Sequence, residues 1–150
     1  MAFEFKCERR VEFSETDMAG VVHFTQFLKY MEYAEHAFFN SLGLSVYQKL
    51  DGAYYGWPKL KVECGFEKPL RFEDRVSIHL LVEEKTSKCL TFKCTIFRIT
   101  GAGQAERVGA GVIKTICVEF GPNGEKLGAT QIPKPVDDAI QQAPASFQIA

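Results

Sequence analysis

The chain has 150 residues, 46% of them apolar and 25% charged, and a formal net charge of −1. These values fit one soluble domain with a single core, residues 1–150, and argue against disorder or a second full domain. No basic field is available for a phosphate backbone, which argues against nucleic acid as a partner. No apolar run approaches the roughly 20 residues that a membrane helix needs.

The opening stretch, "MAFEFKCERRVEF", places charges among its apolar positions and cannot serve as the apolar core of a signal peptide, so a cytoplasmic protein is expected. Phe3, Phe5, Cys7, Val11 and Phe13 alternate with polar residues, which predicts a strand ending near Phe13. The five cysteines, Cys7, Cys64, Cys89, Cys94 and Cys117, show no Cys-x-x-Cys spacing, and the three histidines are isolated. Reduced thiols and no metal site are expected.

From Phe24 the period lengthens. Phe24, Phe27, Leu28, Met31, Ala34, Phe38 and Leu42 recur at steps of three and four, opposite a polar stripe of Gln26, Lys29, Tyr33, His36 and Asn40. This predicts a helix of about 18 residues, roughly 27 Å long, stopped by Gly43. "SVYQKLDGAYYGWP" reads as a short helical turn and loop. Four extended runs follow, at 60–67, 75–84, 90–100 and 106–119, separated by Pro69, "KTSK" and "GAGQ" and followed by "GPNGEK".

Connections this short favour antiparallel hairpins. One long helix must cover one apolar sheet face, so the expected fold is α+β, a curled antiparallel sheet of about five strands around that helix. The tail, "PKPVDDAIQQAPASFQIA", is expected to hold one short helix.

An acid, Asp17, and a flexible Ala19-Gly20 turn lie where strand gives way to helix. A helix start carries unpaired N–H groups and about half a positive charge, which suits an oxyanion. Beside this stands the alternative that Ser14, Thr16 or Asp17 caps the helix or closes an Asx turn. Glu15 reads as a solvated neighbour.

"FSETDMAGVVHFTQFLKYMEYAEHAFFNSLGL" resembles the opening of hotdog-fold acyl-CoA thioesterases of the 4-hydroxybenzoyl-CoA thioesterase family. "FEKPLRFEDRVSIHLLVEE" is similar to their central segment. The resemblance spans residues 11–127. It implies a helix inside a curled sheet, a homodimer or homotetramer with active sites at subunit interfaces, and hydrolysis of an acyl- or aroyl-CoA without cofactor.

It further implies Asp17 as nucleophile or general base, the Phe24 main-chain N–H as oxyanion donor and Gly20 as the turn residue. His23 would be a pocket or proton-relay residue. Many relatives have Tyr at this position and Asn where Gln26 stands. Lys88, with Lys85 and Ser87 beside it in "KTSKC", would hold the phosphates of CoA.

Glu32 and Glu35 read as surface or interface pairing residues, and His36 and His79 as structural ones. Arg71 reads as a brace, and Trp57, Tyr54 and Tyr55 as packing or pocket wall. The rival activities are hydration of an enoyl thioester, with Asp17 and His23 as acid and base, and acyl-thioester binding without turnover.

Overall fold

The computed structural model describes residues 1–147 and 149. Nine strands and two helices follow in the order β1 (Glu4–Arg10), α1 (Phe24–Ser41), β2 (Tyr47–Leu50), β3 (Ala53–Gly56), β4 (Lys59–Phe66), β5 (Arg75–Lys85), β6 (Cys89–Ile99), β7 (Ala105–Ile116), β8 (Val118–Phe120), β9 (Lys126–Ala129) and α2 (Lys134–Ala139). Strand β1 closes at Arg10, short of the expected end near Phe13, where a 3₁₀ turn, Phe13–Glu15, begins instead.

Five strands form an antiparallel sheet in the order β1-β5-β6-β7-β4, and four short ones form a second sheet, β2-β3-β8-β9. The first sheet curls around α1. Its inward residues Val76, Ile78, Leu80, Val82, Leu90, Phe92, Cys94 and Ile96 are fully buried, as are Tyr30, Met31, Ala34, Phe38 and Phe39 of the helix. Aromatic contacts lock the two layers, with Phe38 against Phe5 at 5.9 Å and Phe92 at 6.0 Å, and Phe39 against Trp57 at 5.6 Å.

Helix α1 follows the predicted bounds and length, and Gly43 stands at φ +74° just past its end. Two glycines of β7 let it approach the sheet. A Cβ on Gly111 would lie 2.3 Å from the Glu63 carbonyl oxygen and 2.6 Å from Met31 Sδ, and one on Gly109 would lie 2.8 Å from the Gly65 carbonyl oxygen.

Two further expectations are corrected. Residues 45–58 form no helical turn. They fold into the β2–β3 hairpin, whose two loop residues, Asp51 and Gly52, have φ of +49° and +83°, the signature of a type I′ turn. The run at 106–119 is broken at Cys117, where the chain leaves the first sheet and enters the second, so the strands are more numerous than expected. The tail helix is present as α2.

Candidate active site at the start of the helix

Between the 3₁₀ turn and α1 the chain makes a tight loop. Its arms pair at Thr16 and Val22, the Asp17 N–H donates to the Val21 carbonyl at 2.8 Å, and the Gly20 N–H donates to the Asp17 carbonyl at 3.0 Å. Gly20 has φ +79°, a conformation that side chains with a Cβ rarely adopt. The loop is held to the body by the Val22 N–H donating to the Leu70 carbonyl and the His23 N–H donating to the Glu15 carbonyl, at 2.8 and 2.9 Å.

Asp17 lies exposed near the loop tip. Its Oδ1 accepts the Ala19 N–H at 2.8 Å and the Val21 N–H at 3.4 Å, so the Asx turn weighed from the sequence is present. The same bonds fix the carboxylate in orientation, and Oδ2 accepts none from the described residues.

His23 is the N-cap of α1. Its Nδ1 accepts the Thr25 N–H at 3.3 Å and lies 2.7 Å from Thr25 Oγ1, while its carbonyl accepts the Gln26 N–H at 2.9 Å. The amides of Thr25 and Gln26 are thereby occupied. The Phe24 N–H has no acceptor among the described residues.

The Phe24 side chain is 57% exposed, packs 4.6 Å from the His23 ring and meets Phe66 edge-on at 6.2 Å. The Phe24 and Phe66 rings border a shallow cavity of about 240 Å³, lined by Val22, Phe24, Phe27, Phe66, Glu67, Lys68 and Pro69. A carboxylate, an unbonded helix-start amide and an apolar groove therefore share one end of the sheet.

The predicted CoA contacts lie elsewhere. Lys88 and Ser87 sit on the β5–β6 hairpin, where their carbonyls accept from Cys117 and Ile132. This is the Trp57 end of α1, opposite the Phe66 end where Phe24 lies. One chain does not bring Asp17 and Lys88 together. Lys85 braces α2: its ammonium bonds Asp137 Oδ1 at 2.7 Å and the carbonyls of Asp137 and Ile140 at 2.9 and 2.8 Å.

Two buried acids depart from the sequence reading. Glu15 is 8% exposed: its Oε2 accepts from Arg9 Nη2 at 2.5 Å, and its Oε1 from Tyr30 Oη at 3.0 Å and the Glu12 N–H at 2.8 Å. Glu35 is fully buried, paired through Oε1 with Lys59 at 2.5 Å, and its Oε2 has no partner among the described residues. Burial pushes its pKa up, against the pull of Lys59. Neither partner was visible in the local pattern, since Lys59 lies 24 residues from Glu35 and Tyr30 lies 15 from Glu15.

Glu32 is exposed on α1. His36 lies 3.7 Å from Glu35, and His79 bonds Glu4 at 2.9 Å on the sheet's outer side. Arg71 donates its main-chain N–H to Asp74 within the turn before β5. Tyr54 and Tyr55 belong to β3, and Trp57 is core. No group of three potential metal ligands occurs among the described residues.

The model of the Thioesterase superfamily matches residues 19–105. A 4-hydroxybenzoyl-CoA thioesterase from Pseudomonas is 24% identical over 136 residues, covering 89% of this chain and 94% of its own. An Aquifex aeolicus protein named an esterase is 34% identical over 94 residues, 63% of this chain and 73% of that one. The crystal structure of a 1,4-dihydroxy-2-naphthoyl-CoA thioesterase from Synechocystis superposes with a TM-score of 0.74 at 25% identity, over 91% of this chain and 94% of that one. The expected hotdog fold is the one observed.

Proposed function

Because the chain belongs to the thioesterase superfamily, we propose that it hydrolyses an acyl- or aroyl-CoA thioester to the free acid and CoA at the start of α1. The observation that carries this reading is the unbonded Phe24 N–H at the end of the same tight loop that carries the oriented Asp17 carboxylate.

The thioester carbonyl oxygen would accept from the Phe24 N–H, at the positive end of the helix dipole. One fixed donor aimed at the developing oxyanion contributes about 3–4 kcal/mol to lowering the barrier. In one route Asp17 Oδ2 would attack the carbonyl carbon, breaking the C–S bond and expelling CoA as the thiolate, to form an anhydride that water then cleaves to the acid and the free carboxylate. In the other it would take a proton from a water that attacks the carbonyl and displaces the same thiolate, which leaves protonated. Both routes end in the same products and need no cofactor. Gly20 supports the turn that presents Asp17. His23 serves as the cap, keeping the first amides of α1 aligned.

The aromatic edges of Phe24, Phe27 and Phe66 suit a planar acyl group. The relatives named for 4-hydroxybenzoyl and 1,4-dihydroxy-2-naphthoyl thioesters support the same class.

The full site is proposed to form between two copies. Strand β4 is a sheet edge, bonded among the described residues to β7, and exposes Leu60, Val62 and Phe66. If two β4 edges pair antiparallel, the Phe66 end of one copy meets the Lys59 end of the other. Lys88 and Ser87 of a second copy then approach the helix start, where their charge and hydroxyl can take CoA phosphates.

A thiol-release screen over benzoyl-, 4-hydroxybenzoyl-, short, branched and long acyl-CoAs tests the activity. Crotonyl-CoA hydration and titration with a non-hydrolysable CoA thioester analogue should run beside it. Release of thiol from at least one aroyl- or acyl-CoA is expected. Hydration with the thioester intact, or tight analogue binding with no release across the panel, would overturn the reading.

A further inference from the structure

The loop that carries Asp17 has almost no side-chain packing at its tip: Met18, Ala19 and Gly20 are all exposed. What fixes it is its base, where the main-chain bonds of Val22 to Leu70 and of His23 to Glu15 are joined by the bonds of the buried Glu15 carboxylate. Glu15 lies two residues before Asp17 and joins three separate elements.

Its Oε2 accepts from Arg9 of β1 at 2.5 Å, and its Oε1 accepts from Tyr30 of α1 at 3.0 Å. The same Oε1 takes the Glu12 N–H of the 3₁₀ turn, while its main-chain carbonyl takes the His23 N–H, the amide directly before Phe24. Arg9 in turn lies over the rings of Tyr30 and Tyr33, at 4.8 and 5.3 Å from their centres. Burial and the nearby Glu15 carboxylate push the Tyr30 phenol up, so it keeps the proton it donates.

We infer that Glu15 is a positioning residue, whose bonds to Arg9 and Tyr30 set the placement of the Asp17 carboxylate relative to the Phe24 amide. The inference rests on the thioesterase reading. Its physical basis is that a loop only six residues long between Glu15 and residue 22 moves as its base moves. A displacement of about 1 Å between reacting groups is enough to cost roughly a hundredfold in rate. A buried charge with three donors is also hard to relocate, since each broken bond would leave a donor or acceptor unpaired inside the protein.

Glu15 does not reach the substrate groove, whose lining residues do not include it. Its removal should therefore slow turnover without weakening binding. The variants to compare with wild type are Glu15→Gln, which keeps the shape and loses the charge, and Tyr30→Phe, which removes one donor. Each is assayed by thiol release from the aroyl- or acyl-CoA that wild type turns over fastest, below the unfolding range of the variant. Amide hydrogen exchange over residues 16–24 is measured in the same samples.

Glu15→Gln is expected to lower kcat by about 10- to 100-fold with KM within about threefold. Tyr30→Phe is expected to lower kcat by about three- to tenfold. In both, exchange at residues 16–24 should rise, which a role confined to substrate contact would not produce. A folded Tyr30→Phe or Glu15→Gln with kcat within twofold of wild type would overturn the inference, as would a loss confined to KM. If Glu15→Gln does not fold, Tyr30→Phe decides. A wild type that releases no thiol from any substrate is a failure of the thioesterase reading instead, and in that case the exchange at residues 16–24 alone judges whether Glu15 fixes the loop.

Discussion

Lys59 of β4 meets Glu35 of α1 at 2.5 Å, with the Glu35 side chain fully buried and its second oxygen unpaired. This pair ties the start of the edge strand to the middle of the helix, where Lys59 also donates to the Trp57 carbonyl at 3.3 Å. Removing Lys59 leaves an uncompensated buried charge. Lys59→Met is expected to lose about 3–5 kcal/mol by denaturant unfolding. A loss below about 1 kcal/mol would contradict the pairing.

The pH dependence of stability follows from the same acid. Burial raises the Glu35 pKa above the ordinary carboxyl value of 4.5, with Lys59 and His36 pulling it down and Glu32 adding to the rise. A carboxyl raised in the folded state holds its proton better there, so its favourable contribution is complete below its unfolded value and is lost as pH rises through its folded value. Wild type should therefore lose stability relative to Glu35→Gln as pH climbs upward from about 4.5. Parallel stability profiles for the two proteins would contradict the shift.

Gly111 sets the depth at which α1 sits on the sheet, since a Cβ there would run into the Glu63 carbonyl and Met31. Backbone cannot yield as a flexible side chain can. Gly111→Ala is expected to cost about 1–3 kcal/mol in thermal or denaturant unfolding, and an unchanged midpoint would show that the helix has slack.

Much of this architecture could be read from residue order. The three-and-four spacing from Phe24 to Leu42 gave α1 its bounds, and the alternation through Val76–Val82 and Leu90–Ile96 gave the faces of β5 and β6. The β2–β3 hairpin escaped because four-residue strands hold too few positions for a period. Yet Asp51-Gly52, a strong type I′ pair, was the signal that would have found it. The loop motif with Asp17 and Gly20 was visible, as was the helix start. The roles of Glu15 and Glu35 were not, because burial of a charge depends on partners brought from distant elements. The same holds for Lys85, whose engagement depends on the fold of the tail.

His23 caps α1 through Nδ1. His23→Ala should lose about 0.5–2 kcal/mol, in line with loss of an N-cap, whereas His23→Asn keeps an acceptor and should stay near wild type in stability and turnover. A fall of more than about a hundredfold in kcat for a stable His23→Asn would assign the ring a proton-transfer role instead.

Single-turnover thiol release by Asp17→Asn tests most directly whether Asp17 performs the chemistry together with the unbonded Phe24 N–H at the start of α1. A fall of several orders of magnitude in the hydrolytic step is expected, with the native fold and analogue affinity retained. Hydrolysis by that variant within about tenfold of wild type would contradict that role and move the reacting carboxylate elsewhere on the chain.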